Sequence, residues 1–210
     1  MRSNNQPDPE LLLADARQSR QEHLGNLLEL YRNYLNLMAR TQIDRNLQAQ
    51  VNPSDLVQET FLEAYRDFGQ FNGATEREFL AWLRRILVHN LGHVIEKQVR
   101  AQKRDVRRQV SLDHRIAAME HSAAGIEATL ISPMSSPSAQ AHRRERATLL
   151  ADQLARLPAD YREAIVLRNL EGLAFEEVAR RMQRTSAATR VLWLRAIEKL
   201  RHLLKEEGLI

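Results

Sequence analysis

The amino-acid sequence predicts an all-α protein made of two small helical domains joined by a flexible linker. Hydrophobic residues make up 43% of the 210 residues but aromatic residues only 5%, and Gly and Pro number 7 and 6. A sheet protein would need more β-branched and aromatic residues in strands and more turn residues between them. Apolar side chains recur instead every three or four residues on both sides of a Ser/Pro-rich stretch, which is the periodicity of amphipathic helices.

Charge and cysteine content narrow the class of protein. The 31 basic and 27 acidic residues leave a formal charge of +4, so the location of the basic residues matters more than their excess. Cysteine is absent, which excludes disulfides and thiolate metal sites and fits a reducing compartment. The N-terminus lacks the apolar core of a signal peptide, and no apolar run is long enough to span a bilayer. We therefore expect a soluble cytoplasmic protein without membrane insertion.

The first domain is expected to occupy residues 21–109, after an N-terminal tail of residues 1–20. Its first helix carries a stripe of apolar residues over Leu24–Met38, at the spacing of one helix face. The next helix begins at Asn52, which can cap free backbone N–H groups, and continues with Pro53, which suits the first helical position.

The third helix of this domain begins at Thr75. Glu78 stands three residues later, which is the spacing of a capping box. Trp82 could stack on a nucleic-acid base, but it is spaced with Phe79 and Ile86 as a residue of the buried stripe.

Beyond Trp82 the chain becomes basic. Only Glu96 and Asp105 oppose a run of positive side chains, which are Arg84, Arg85, Lys97, Arg100, Lys103, Arg104, Arg107 and Arg108. A charge run is usually a solvated face. A run of one sign after a strongly apolar helix also favours a surface for nucleic acid.

A linker is predicted over residues 110–141 because Ser132–Ser138 is rich in Ser and Pro and weakly apolar. A short helix within Ile116–Ile131 is the only element expected there. The second helical domain follows at residues 142–210.

The C-terminal domain has the layout of a helix-turn-helix: a short helix over Phe175–Met182, a turn over Gln183–Thr185 and a longer helix over Ser186–Lys205. In this motif the first helix crosses the phosphates, and the first residues of the second helix enter the major groove. Small Ala179 permits close approach of the two helices. The residues predicted to contact DNA are Arg184, Thr185, Ser186, Ala187, Arg190 and Arg195.

Three of these side chains have expected roles. Arg190 is placed to reach a guanine edge, whereas Arg184 and Arg195 are placed to hold phosphates. An ordinary helical hairpin with solvated arginines is the alternative interpretation of the same pattern.

Three segments resemble bacterial RNA polymerase sigma factors of the extracytoplasmic-function (ECF) subfamily. Asp55–Tyr65 resembles region 2.2 of that family, and Phe79–Ile86 resembles region 2.3. Leu157–Arg168, followed by Glu171–Ala179, resembles region 4. Both domains stand in the family's order with the family's gap, and the match covers most of the chain outside the tail and the linker.

The resemblance implies a transcription initiation factor that is not an enzyme and uses no cofactor. It assigns a region 2 domain to residues 21–109 and a region 4 helix-turn-helix domain to residues 142–210. The family binds core RNA polymerase and directs promoter recognition and DNA melting. An anti-sigma protein is a further candidate partner.

The resemblance also implies roles for particular residues. The clamp helices of the largest polymerase subunit would be contacted by Asp55, Gln58 and Glu59. The minus-ten promoter element, with an unpaired base held beside it, would be contacted by Asn90, Lys97, Arg100, Lys103 and Arg104. The linker would run through the polymerase interior, and the C-terminal helix-turn-helix would read the minus-thirty-five element.

The chain departs from the family pattern at four positions. Ala174 stands where Ser or Thr is common, so a helix cap worth ~1 kcal/mol is missing. Gln183 replaces a common turn glycine, and Thr189 stands at a usually aliphatic position. His93 stands where an acidic residue is frequent. These departures bear on which promoter sequences the protein selects, not on the class of protein.

Two other classes of protein remain open at this point. His89 and His93 stand four residues apart, as zinc ligands can, but residue 90 is Asn, so the glutamate base of a metalloprotease is missing and a third ligand is not evident. A helix-turn-helix transcriptional regulator with an N-terminal helical sensor domain would share the C-terminal pattern. A sensor domain has no need of the basic run or of the polar face formed by Asp55, Gln58 and Glu59. A ligand cavity or a stable dimer would favour such a regulator.

Overall fold

The computed structural model describes residues 8–18, 21–43, 51–101 and 139–208, which contain helices and turns but no strand. They form two compact units, called here the N-terminal unit (8–101) and the C-terminal unit (139–208). The predicted all-α class is therefore confirmed. None of the helices in these ranges is both long and apolar enough to cross a membrane.

The N-terminal unit contains five helices and a short 3₁₀ turn. They are α1 (Pro9–Arg17), α2 (Gln21–Glu29), α3 (Arg32–Gln42), α4 (Pro53–Asp67), the turn Phe68–Gln70, and α5 (Glu76–Ala101). Helix α4 packs between α3 and α5, and α1 packs mainly on α2. The core at the α3, α4 and α5 contacts holds fully buried Leu35, Val57 and Leu83.

Helix α1 forms within residues 1–20, which the sequence analysis assigned to an N-terminal tail. The Asp8 side chain caps the helix by accepting a hydrogen bond at 2.9 Å from the backbone N–H two residues later, and Pro9 stands in the first turn. Leu12 and Leu13 are buried against the neighbouring helices. A nine-residue helix is marginal by itself, so these tertiary contacts explain why it forms.

The apolar stripe over Leu24–Met38 forms two helices, α2 and α3, rather than the single predicted helix. At the break the backbone N–H of Tyr31 donates to the Leu28 carbonyl at 3.0 Å. The Tyr31 ring is buried 5.9 Å from the Phe79 ring, centroid to centroid. Its hydroxyl donates to the Glu76 carboxylate at 2.9 Å. The break thus coincides with contacts to α5, which helical periodicity cannot show.

The predicted starts of α4 and α5 are confirmed. The Asn52 side chain accepts a hydrogen bond from the Ser54 N–H at 3.0 Å, and Pro53 occupies the first turn. Before α5 the Glu78 N–H donates to the Thr75 hydroxyl at 3.3 Å, and the Thr75 N–H donates to the Glu78 carboxylate at 3.0 Å. This reciprocal pair is the capping box.

Glu78 is expected to stabilise α5 only while it is ionised. Its carboxylate also accepts hydrogen bonds from the Ala74 N–H at 2.8 Å and the Thr75 hydroxyl at 2.9 Å, and these bonds lower the pKa of Glu78. A lowered folded pKa gives stability that is present above the unfolded pKa, about 4.3, and lost as pH falls through the folded value. We expect Glu78→Ala to destabilise the N-terminal unit at neutral pH. The loss of stability should become smaller as the pH falls below about 4.3.

Urea unfolding followed by tryptophan fluorescence measures this difference. Trp82 lies in the N-terminal unit and Trp193 in the C-terminal unit, and they are the two tryptophans of the chain, so a Trp193→Phe background isolates the relevant signal. Glu78→Gln keeps an uncharged acceptor and is the control: its loss should be smaller than that of Glu78→Ala. Because both variants lack the ionisable carboxyl, the stability difference between them should not depend on pH. A Glu78→Ala difference that stays constant with pH would contradict the assignment.

The C-terminal unit contains four helices, α6 (Ala139–Arg156), α7 (Ala159–Ile165), α8 (Phe175–Arg181) and α9 (Ser186–Glu206). Helix α7 continues into a π-helical turn at Val166–Leu170. The next turn contains Gly172 at φ +68°, a left-handed conformation that favours glycine. Helix α9 packs against α6, α7 and α8, so it is the central helix of this unit.

The predicted linker of residues 110–141 lies almost wholly outside the described residues, as does the short helix expected within Ile116–Ile131. The exception is its end, because α6 begins at Ala139. The start of the second domain was expected three residues later, at residue 142.

Candidate functional site

An exposed face of α4 carries Asp55, Gln58 and Glu59. The opposite side of the helix is buried in the core, so these three side chains face solvent. Leu62 continues the same face one turn later and is 68% exposed. We call Asp55, Gln58, Glu59 and Leu62 the acidic face of α4.

Sequence analysis missed Leu62 because it is apolar and stands within a run of helix-core residues. A signal was present, since Leu62 follows the buried Phe61 directly and lies three and four residues after Glu59 and Gln58. Neighbours at that spacing share a helix face. An apolar side chain among exposed polar ones is typical of the centre of a protein interface.

Asn90, which was predicted to contact the minus-ten element, lies between α4 and α5 in the structure. Its side chain is only 8% exposed, and its Nδ2 atom donates to the hydroxyl of buried Thr60 at 3.5 Å. Position 90 lies one turn after the buried Ile86 and Leu87. Asn90 therefore packs at the interface between α4 and α5, and its contact with the minus-ten element stays a prediction.

One arginine of the basic run is buried in the core. Arg84 is 3% exposed, and its guanidinium donates to the Tyr34 hydroxyl at 3.3 Å. Arg85 and Lys97 are exposed on α5. The remaining side chains predicted to face the minus-ten element lie outside the described part of the structure: those of Arg100, Lys103 and Arg104.

Trp82 packs within an aromatic cluster, as its spacing indicated. Its ring centroid lies 6.4, 5.1 and 5.8 Å from those of Phe68, Phe71 and Phe79. The indole is half-buried, and its contacts join the turn before α5 to the helix itself.

His89 and His93 contact each other on the exposed side of α5, with 3.0 Å between their Nε2 atoms. The Nδ1 atom of His89 lies 3.9 Å from the Glu63 carboxylate. Within residues 8–18, 21–43, 51–101 and 139–208, no three His, Asp or Glu side chains are grouped to hold a metal ion. The pair does not have the three or four protein ligands of a typical zinc site.

The helix-turn-helix forms as predicted from α8 and α9. The Thr185 hydroxyl caps α9 by accepting a hydrogen bond from the Ala188 N–H at 3.2 Å. Gln183 has φ 54°, so it adopts the left-handed conformation that glycine would adopt at lower cost. The Arg184 N–H donates to the Ala179 carbonyl at 2.9 Å, which closes the turn beside the small buried side chain.

Two departures from the family pattern have a local structural consequence. Ala174 stands at the N-cap of α8 and offers no side-chain hydrogen bond. Thr189 is fully buried, and its hydroxyl donates to the Thr185 carbonyl at 2.9 Å. The polar side chain at this usually aliphatic position is thus satisfied within its own helix.

The residues predicted to contact DNA share the solvent side of the turn and of the first half of α9. All of them are exposed except the half-buried Ser186; the exposed ones are Arg184, Thr185, Ala187, Arg190 and Arg195. Sequence analysis missed Val191 on the same side, which is 48% exposed. An apolar side chain there can contact a thymine methyl group.

Two of these arginines are already paired with carboxylates of neighbouring elements. Arg184 contacts Asp160 at 2.5 Å, and Arg190 contacts Glu176 at 3.0 Å. Both pairs are solvent-exposed, and such pairs are worth about 0–1 kcal/mol. These ion pairs orient the guanidinium groups but are weak enough for the arginines to contact DNA instead.

Comparison with known proteins identifies both units. The model of Sigma-70 region 2 matches residues 27–104, which cover most of α2 to α5, and that of Sigma-70 region 4 matches residues 147–200 in the C-terminal unit. A helix-turn-helix regulator with an unrelated sensor domain would share only the second match.

Three curated relatives agree with these matches. The chain is 31% identical over 147 residues to RNA polymerase sigma-H factor of Pseudomonas aeruginosa, which covers 70% of this chain and 69% of that protein. It is 33% identical over 152 residues to RNA polymerase sigma factor CarQ of Myxococcus xanthus, with coverages of 72% and 74%. It is 27% identical over 179 residues to the ECF sigma-E factor of Haemophilus influenzae, with coverages of 85% and 86%. The chain therefore belongs to the sigma-70 family of RNA polymerase sigma factors, within its ECF group.

Proposed function

We propose that this sigma factor, which directs promoter recognition in transcription initiation, divides the task between its two units. The C-terminal unit reads the minus-thirty-five element in duplex form. The N-terminal unit binds core RNA polymerase and meets the minus-ten element. The observation that carries the proposal is the exposed first half of α9, where Ala187, Arg190 and Val191 follow a capped turn.

The chemistry of that surface suits the major groove. A guanidinium can bond both acceptors of a guanine edge, and small side chains beside it let the helix approach the bases. Arg190 supplies the guanidinium, and Ala187 supplies the small side chain one turn before it. Arg184 and Arg195 are exposed before and after it along the chain and are proposed to hold phosphates, contacts that fix orientation without carrying sequence information.

For the N-terminal unit, the acidic face of α4 supports binding to the clamp helices of the largest polymerase subunit. The face is exposed to solvent, so its carboxylates are accessible to a partner protein. The proposed minus-ten contacts are Lys97, which is exposed near the end of α5, and the basic residues that follow: Arg100, Lys103 and Arg104. Positive charge along such a segment suits the backbone of a melted strand.

The sigma factor carries out no chemical reaction itself, uses no cofactor, and acts in the cytoplasm together with core RNA polymerase and promoter DNA. An anti-sigma protein that occupies either exposed face would compete with these partners.

Reconstitution with core RNA polymerase tests the function. The chain should co-purify with core enzyme, and the holoenzyme should give run-off transcripts on a subset of genomic fragments that core enzyme alone does not transcribe. Specific binding of the isolated chain to DNA, without core binding or transcripts, would favour a conventional regulator instead.

We also propose that the chain divides between about residues 110 and 141, in the Ser/Pro-rich stretch. Domain boundaries lie in exposed segments crossed by few contacts. Limited proteolysis should therefore cut there first and release two fragments that keep their helical circular dichroism. A single resistant fragment that spans the stretch would refute the division.

A further inference from the structure

We propose that Glu176 is a positioning residue, which presents the Arg190 guanidinium to a guanine edge and thereby sharpens base selectivity. This inference rests on the proposed function of α9. It concerns a carboxylate on α8, the helix that crosses the phosphates in this motif, where a negative charge would otherwise only weaken DNA binding.

Arg190 is held from two directions. Its Nη2 atom donates to the Glu176 carboxylate at 3.0 Å, across the turn between α8 and α9. Its Cζ atom also lies 5.4 Å from the centroid of the Phe175 ring, within the range of a cation–π contact. One contact constrains the edge of the guanidinium, and the other constrains its plane.

The Phe175 ring is itself fixed by the rest of the unit. It packs edge-to-face on Trp193 at 5.5 Å between centroids, and the Trp193 indole N–H donates to the Asn169 side chain at 2.8 Å. Arg168 lies 4.9 Å from the same ring and donates to the Leu173 carbonyl at 2.9 Å. The ring therefore offers Arg190 a platform anchored to both α9 and the turn before α8.

Both partners of Arg190 can be bound at once. A guanidinium carries five N–H donors in a planar fork, a guanine edge takes two of them, and a carboxylate can take another. An exposed arginine with no such contact would lose more side-chain freedom when it docks. Positioning by Glu176 and Phe175 lowers that loss in the one geometry that suits guanine.

The charge of Glu176 adds discrimination. Its carboxylate is exposed near the expected path of the phosphates, so it disfavours complexes in which Arg190 turns away to a phosphate or meets a base without acceptors. Selectivity arises from penalties on wrong partners as well as from contacts to the right one. Glu176 should thus contribute more to base selectivity than to overall affinity.

The test uses holoenzyme reconstituted from the full chain and core RNA polymerase. The probe is a library of duplexes with a randomised upstream window, and the bound duplexes are sequenced. Wild type should enrich guanine at a position where Arg190→Ala removes the preference. Glu176→Gln should lower guanine enrichment at that same position by roughly two- to fivefold, about the strength of one exposed charged contact, while total bound DNA stays equal or rises.

Glu177→Gln is the matched control. It makes the same charge change one residue later, at a carboxylate that pairs with Arg180 and Arg181. Selectivity should therefore stay at the wild-type level.

Three other outcomes would overturn the inference, and each has a different cause. Unchanged guanine enrichment in Glu176→Gln, at a position that depends on Arg190, shows that Glu176 does not position the arginine. Higher enrichment shows that Glu176 competes with DNA for the guanidinium. If no position depends on Arg190, the proposed role of α9 fails as well, and the Arg190→Ala arm alone reveals this.

Discussion

Charge reversal at Asp55 and Glu59 together is expected to lower the affinity of the chain for core RNA polymerase by roughly tenfold or more. Both carboxylates lie on the acidic face of α4, away from the core. Lysine at these positions leaves the buried side of α4 untouched, so the helical circular dichroism should not change. The loss comes from juxtaposing like charges at an interface that is complementary in the wild type.

The measurement is a competition in which tagged wild type and an untagged variant share a limiting amount of core enzyme. Glu59→Lys alone is compared with Glu10→Lys, which makes the same charge change at an exposed position of α1. Only the α4 variant should compete poorly. Equal competition by both would show that α4 does not form the polymerase contact.

Arg190→Ala is expected to cost ~1–3 kcal/mol of binding at the cognate upstream element, about a factor of 5 to 150, and to relax base preference at one position. The reason is the loss of a bidentate contact that discriminates among base edges only in an intact major groove. The cost should be small on duplexes that already lack the preferred base. Titration of holoenzyme with matched cognate and substituted duplexes measures both effects.

Arg195→Ala serves as the control for simple loss of charge. Arg195 is exposed farther along α9, where we expect a phosphate contact. Its removal should weaken binding about equally on all sequences and reduce the slope of binding against salt by about one unit. If Arg190→Ala behaved in the same uniform way, Arg190 would be a phosphate contact and the base-reading assignment would be wrong.

Several features of this chain could be predicted from sequence because they depend on residues close together in the chain. Asn52, the Thr75–Glu78 pair and Thr185 each bond backbone N–H groups two to four residues away. Capping of that kind needs no tertiary partner.

The sequence by itself therefore determined the all-α class, the starts of α4, α5 and α9, and the presence of a helix-turn-helix. Only the tertiary structure decided which polar side chains are buried and which apolar ones are exposed. Asn90 and Arg84 are buried because α3 and α4 cover that side of α5 and supply hydroxyl partners, whereas Leu62 and Val191 are left uncovered. Periodicity gives the angular position of a side chain around its own helix, but the helix that packs there is fixed by contacts between residues far apart in the chain.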